Sequence, residues 1–177
     1  MKRLVWITLW LLAPIFVPAA TLERLSLDEM IEKSTAIVRG KIVSAGASFH
    51  GPVIYTHFSV QVLEHWKGDD VAQVDVVVPG GTAKGLHQTF AGTPQLEPGG
   101  EYVLFLWKGK SGLTHVIGLS QGVFTLKSDG DGGMLATRSA STEAMLDRRT
   151  GQVVNDETLR LRVGDLRARV SAAARAR

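Results

Sequence analysis

Five histidines carry most of the side-chain chemistry on offer: His50, His57, His65, His87 and His115. A metal site needs three or four ligands converging on a point about 2 Å away. His57 and His65 lie on the same face of one strand-like stretch, but eight residues of strand hold them roughly 26 Å apart, too far to share an ion. His57 and His115 on neighbouring strands would be close enough, yet no third ligand accompanies them. The histidines read as solvated or half-buried strand residues, and no metal or other cofactor is expected. The chain has no cysteine, so disulfides, cysteine-ligated zinc and thiol catalysis are excluded.

Three short stretches imitate better-known signatures. Gly118-Leu119-Ser120-Gln121-Gly122 has the spelling of a nucleophile elbow, but that motif works at a strained strand-to-helix turn, and here strand follows strand. A β-turn or bulge with two glycines is the expectation. Gly80-Gly81-Thr82-Ala83-Lys84-Gly85 places its Lys before the Gly, with no helix behind it, and does not make a phosphate loop. Ser128-Asp129-Gly130-Asp131-Gly132-Gly133 lacks the twelve-residue calcium pattern with its terminal Glu and reads as a hairpin loop. No H-E-x-x-H occurs. With no convergent catalytic set in view, the chain is expected not to be an enzyme.

The elements that would position these residues are mostly strands. Ser26-Leu27-Asp28-Glu29 spells a capping box, followed by Leu27, Met30 and Ile31 on one helical face, which predicts a short helix over 27–34. Residues 36–43 read as a strand. In 53–66, Ile54, Thr56, Phe58, Val60 and Val62 alternate with more polar neighbours and should face the core. Phe58, Val60 and Val62 are expected to meet Val76, Val103 and Phe105. Residues 71–78 give a third strand, ended by Pro79-Gly80-Gly81. Residues 101–108 (EYVLFLWK) give a fourth, apolar on both faces. Further strands are expected at 113–117 and 122–127, with short additions at 134–137 and 158–163. Leu166 and Val170 predict a terminal helix over 165–174. Between Pro79 and Gly100 the chain reads as a polar, glycine-rich loop, of a length that tends to be functional or disordered.

Lys2 and Arg3 precede an almost wholly apolar run from Leu4 to Val17, and small residues follow at Ala19 and Ala20. This is the layout of a secretory signal peptide, with cleavage expected after Ala19 or Ala20. The apolar run falls short of the roughly 20 residues that span a bilayer, and Pro14 and Pro18 interrupt it, so no transmembrane segment is expected in the mature chain. The chain has 177 residues, 45% of them hydrophobic, as one globular domain would. It carries 20 Lys+Arg against 17 Asp+Glu. Loss of Lys2 and Arg3 leaves 18 against 17, a near-neutral mature chain that gives no reason to expect nucleic acid as a partner. The remaining charge asymmetry is the arginine-rich terminal segment.

The order AIVRGKIVSA, IYTHFSVQVLEHWKG, VAQVDVVVPGG and GGEYVLFLWKGKSGLTHVIGLSQGVFTL resembles a group of uncharacterised secreted bacterial proteins. That group is similar in layout to the netrin-like domain, the OB-fold barrel of the tissue inhibitors of metalloproteinases. The shared features are an A-x-V-x-G-K-x-V strand, a long second strand ending in W-K-G, a third ending in Pro, and a G-x-E-Y-x-L strand, over roughly residues 36–127. The animal inhibitors grip zinc through an N-terminal cysteine that this chain lacks, so no inhibitory residue carries over.

The expectation is therefore an all-β protein: a small, closed OB-like (netrin-like) barrel with short N- and C-terminal helices. Residues 1–19 would be the signal peptide, 20–130 the barrel, and 131–177 an extension packed on it. The protein would be secreted or periplasmic and bind a protein or envelope polymer. A secreted-protease inhibitor and a hydrolase with an unrecognised site are the alternatives. OB barrels bind through a sheet face and its flanking loops. Tyr55, His57, Lys84, His87, Phe90 and Trp107 are the candidate binding residues.

Overall fold

The structure is a computed structural model that describes residues 21–175. The expected signal segment, 1–19, lies outside the described residues. The architecture is mostly β-sheet with two helices. Strand β1 (Thr21–Glu23) leads into helix α1 (Leu27–Lys33). The capping box forms as spelled: Ser26 Oγ accepts the Glu29 amide, and the Glu29 carboxylate accepts the Ser26 amide. Leu27, Met30 and Ile31 are buried, as their spacing requires.

Strands β2 (Ala36–His50) and β3 (Val53–Lys67) form a long antiparallel hairpin. β2 is twice as long as its apolar stretch suggested, because its second half faces solvent and carries little hydrophobic signal. Three register irregularities bend the pair. At Gly40 the two backbones come so close that a Cβ would lie 2.5 Å from Val60 Cγ1 and 2.9 Å from the Gln61 carbonyl oxygen. The glycine of the A-x-V-x-G-K-x-V stretch is a contact requirement.

The chain continues through β4 (Gln73–Pro79), β5 (Gly81–Ala83), β6 (Leu86–Gln88), β7 (Glu101–Lys108), β8 (Thr114–Val116), a 3-10 turn (Leu119–Gly122), β9 (Val123–Ser128) and β10 (Met134–Arg138). It ends with β11 (Ala144–Leu146), β12 (Val153–Val154), β13 (Leu159–Arg162) and helix α2 (Val163–Arg175). The main sheet runs β13-β10-β9-β7-β2-β3-β4-β8, and β7 pairs with β8 as well. The β4–β8 pairing is parallel. Among the described residues a second small sheet joins β1, β11 and β12.

Two apolar clusters lie on either side of β2 and β7. One gathers Val38, Ile42, Phe58, Val60, Val76, Val78, Leu104, Leu106 and Val116, with strands β2, β3, β4, β7 and β8 all contributing. The other gathers Met30, Ile31, Ile37, Val103, Phe105, Phe124, Leu166 and Val170 beneath the helices. β7 is buried on both faces, as its composition implied. Its alternation corrects the expected core contacts: Val76 does share a cluster with Phe58 and Val60, but Val103 and Phe105 point the other way, toward α1 and α2. The connection from Pro79 to Gly100 is also more ordered than its composition implied. It contains the β5–β6 hairpin and buries Leu96.

The arginine-rich end of the chain docks as α2. Leu166 and Val170 are fully buried, Arg169 grips Asp28 of α1 through two bonds of 2.9 Å, and Arg167 lies 3.2 Å from Glu64. None of the described helices is long and apolar enough to cross a membrane.

Candidate functional site

Strand register builds an aromatic groove on the face of β3, β4, β8 and β7 opposite the Val76 cluster. Val77 pairs with His115, and His115 pairs with Trp107, so the three stand side by side across the sheet. Tyr55 comes in from β3. The rings touch in series: His50 to Tyr55 at 6.3 Å, Tyr55 to His115 at 5.9 Å, both edge-on, then His115 stacked on Trp107 at 5.0 Å. Tyr55, Val77, His115 and Trp107 border a cavity of about 580 Å³, walled by Leu22, Leu25, Pro79, Pro94 and Leu119. Its lining is mainly apolar, with Glu23 and Lys33 as the charged members. Burial holds the His115 imidazole below its ordinary pKa of 6.5, favouring the neutral ring. Trp107 remains 40% exposed, a large aromatic surface left open to an incoming group.

The Gly118–Gly122 stretch serves this groove as scaffold. Gly118 and Leu119 both take positive φ, 58° and 55°, which turns the chain sharply at the groove edge. Leu119 does so at a cost of order 1–2 kcal/mol. Gln121, 1% exposed, accepts the Leu25 amide through Oε1 at 2.8 Å and donates to the Glu23 carbonyl through Nε2 at 2.9 Å. It thereby fixes the N-terminal wall. Ser120 sits inside a 3-10 turn, in keeping with the expected turn.

His57 lies on the neighbouring part of the β3 face, in a different setting. Its Nε2 is 3.0 Å from Ser48 Oγ and its Nδ1 is 2.8 Å from Asp75 Oδ2. Ser, His and Asp from three adjacent strands thus form a hydrogen-bonded line, the order used by hydrolases to activate a serine. The three positions are far apart in sequence, and only the β2–β3–β4 register aligns them, so no local motif announced them. None of them lines the aromatic cavity. His57 is also one strand farther from His115 than expected. Val77 separates them, because β8 pairs with β4 and β7 and not with β3.

The remaining predicted residues fall elsewhere. His87 and Phe90 border a second cavity of about 450 Å³ beside Thr56, Gly80 and Pro94. Both His87 ring nitrogens are within hydrogen-bond reach of hydroxyls, Thr82 at 2.9 Å and Thr89 at 3.0 Å. Lys84 occupies the exposed tip of the β5–β6 hairpin with φ 50°, followed by Gly85 at 77°, the backbone of a tight hairpin turn. The fold therefore brings Tyr55 and Trp107 together, sets His87 and Phe90 in the adjoining hollow around Pro79 and Pro94, and leaves His57 and Lys84 apart from both. Asp129 accepts the amides of Asp131 and Gly133, the turn expected of that stretch. Among the described residues no group of three or more His, Asp or Glu side chains is placed to hold a metal ion. No family model and no curated protein sequence matches this chain.

Proposed function

We propose that the chain is an exported, non-enzymatic binding module on an OB-like, netrin-like barrel, and that it holds a protein or envelope-polymer partner in the groove of Tyr55, His115 and Trp107. The barrel reading is supported by a circuit of pairings, β2 to β3 to β4 to β8 to β7 and back to β2, whose five strands all feed one apolar cluster. Residues 20–130 would make this barrel, and 131–177 would extend it. Export is supported by Lys2-Arg3, the short apolar run and Ala19-Ala20.

One observation carries the binding reading: a row of rings in series along a mainly apolar groove, ending in a half-exposed Trp107. Flat aromatic surface of this kind gives contact area to an extended chain at little entropic cost. The test is capture from the envelope fraction by the wild-type protein, by Trp107→Ala and by Tyr55→Ala. A partner retained by wild type, lost by both variants, with thermal midpoints unchanged, supports the groove. Equal retention by all three overturns it.

A hydrolase reading is favoured by a separate observation, the Ser48–His57–Asp75 line. In it the Ser48 hydroxyl attacks an ester carbonyl, His57 Nε2 takes its proton and passes it to the leaving alcohol, and Asp75 orients the imidazole. Water then releases the acyl group. Covalent labelling of Ser48 by a fluorophosphonate, abolished in Ser48→Ala, would establish this reading. Absence of labelling sinks it.

A further inference from the structure

We infer a second binding site, for a small organic oxyanion, in a cavity that shares Leu25 of the N-terminal segment with the aromatic groove. This cavity has a volume of about 440 Å³ and is bounded by the Arg24–Leu27 segment, by Arg138 at the end of β10, by Asp147, by Leu159–Leu161 of β13 and by Arg169 of α2.

Arg138 is the built element. Its side chain is 3% exposed, and a guanidinium keeps its charge under all ordinary conditions. One nitrogen, Nη2, makes the whole of its observed bonding: 2.6 Å to Asp156 Oδ1 and 2.9 Å to the Glu157 carbonyl. Nε and Nη1 are buried with no hydrogen-bond partner. Native proteins rarely leave such donors unused, because stripping water from an N–H without replacing it costs more than a hydrogen bond returns. The other Asp156 oxygen accepts the Ser141 amide at 2.8 Å.

The charge around Arg138 points to the ligand. Arg24 and Arg160 line the same cavity, and among the described residues neither side chain makes an ion pair. The two acids on the rim are committed. Glu29 closes the capping box, and Asp147 accepts the Arg149 and Thr150 amides, and both carboxyls are held below their ordinary pKa by those bonds. Arg169 is spent on Asp28. The lining thus holds four arginines, Arg24, Arg138, Arg160 and Arg169, against two ionised carboxylates, Glu29 and Asp147, an excess of positive charge over a floor containing Leu25, Leu27, Leu159 and Leu161. Cationic donors above leucine side chains fit a carboxylate or phosphate monoester on a short apolar stem.

The test is a nitrogen-15 NMR titration of the wild-type protein with three probes: hexyl phosphate, hexanoate and hexanol. Inorganic phosphate is added as a fourth, without a stem. Hexyl phosphate or hexanoate should move the Arg138 Nε–H resonance and the amides of 159–161, and hexanol should move neither. Whichever of the two anions binds more tightly identifies the head group. The variant Arg24→Gln/Arg160→Gln leaves Arg138 and its buried partner intact, and it should weaken binding at least tenfold while the amide spectrum elsewhere stays put. Arg167→Gln, whose partner is Glu64, should bind as wild type does. If neither anion moves Arg138 Nε–H, if hexanol moves it equally, or if the double variant binds unchanged, the site does not exist. A response to inorganic phosphate equal to that of hexyl phosphate overturns the claim of an apolar stem.

Discussion

The indole of Trp107 stacks on the imidazole of His115, with ring centroids 5.0 Å apart and 25° between the planes. The pair sits where β8 meets β7, and His115 also meets Tyr55 in an edge-type contact at 5.9 Å. Groove shape and imidazole charge are therefore linked. Burial lowers the folded-state pKa of His115 below 6.5, so the unfolded chain binds the proton more readily. The resulting penalty is absent well above pH 6.5, and stability is lost progressively as pH falls from there through the lowered folded value. An NMR titration should place the His115 midpoint below 6.5, and His115→Phe should remove that part of the acid sensitivity. A midpoint above 6.5 would mean that the attraction of the Trp107 face for an imidazolium outweighs burial.

Gly40 should be intolerant of the smallest side chain. A methyl there would lie 2.5 Å from Val60 Cγ1 and 2.9 Å from the Gln61 oxygen, and Val60 is fully buried. Gly40→Ala should cost about 1–3 kcal/mol, the usual penalty for overpacking, read as a lower denaturation midpoint. Gly46, on the same strand, has nothing within 4 Å of its added Cβ, and Gly46→Ala should leave the midpoint nearly unchanged.

Phe58 tests the register of β3. It is 6% exposed and shares a cluster with Val60, Val76 and Leu104. Phe58→Ala should cost about 3–5 kcal/mol, a large fraction of the stability of a domain this size. Ser59→Ala, on the other face, should cost far less. Equal effects would mean a strand turned over by one residue.

Local signals were readable and distant ones were not. The capping box, the β3 alternation and the two-faced burial of 101–108 depend on residues within a few positions of one another, and each stands in the fold as spelled. Strand β1 pairs in parallel with β11 more than a hundred residues away, through three residues on each side. Nothing within three residues marks such a pairing. The Ser48–His57–Asp75 line requires the irregular register of β2 with β3, and the partnership of Arg138 with Asp156 depends on how the chain returns after β11. Of the six predicted binding residues, Tyr55 and Trp107 share the groove, but His115 between them was weighed only as a metal ligand, because stacking across three strands has no one-dimensional signature.

The attachment of α2 separates two kinds of contact. Arg169 and Asp28 meet in good geometry, but their side chains are 50% and 70% exposed. Exposed pairs contribute about 0.2–1 kcal/mol, so Arg169→Ala should shift the thermal midpoint little, and less in high salt. Leu166 is fully buried among Met30, Phe124 and Val170. Leu166→Ala should cost about 2–5 kcal/mol. If the arginine variant is the more damaging, the helix is held by charge and not by its apolar face.

The hairpin from Gly81 to Gln88 gives the last test, because its composition suggested a loop free to vary. Gln88 ties it to the main sheet: Oε1 accepts the Ile54 amide at 2.7 Å, and Nε2 donates to the Pro52 carbonyl at 3.0 Å. Those bonds hold the end of the β2–β3 hairpin, where His50 and Tyr55 begin the row of rings. Gln88→Ala removes both partners at once and leaves the Ile54 amide, partly buried, without an acceptor, a loss of about 1–3 kcal/mol. Its effect should be local. Hydrogen exchange should quicken at Ile54 and its neighbours near the turn, while the amides of Phe105 and Phe124, deep in the other cluster, keep their protection. Binding in the aromatic groove should weaken with it, since Tyr55 loses a fixed base. Unchanged exchange at Ile54 would show that the hairpin is a passenger on the sheet, and the groove would then owe its shape to Gln121 and the N-terminal wall alone.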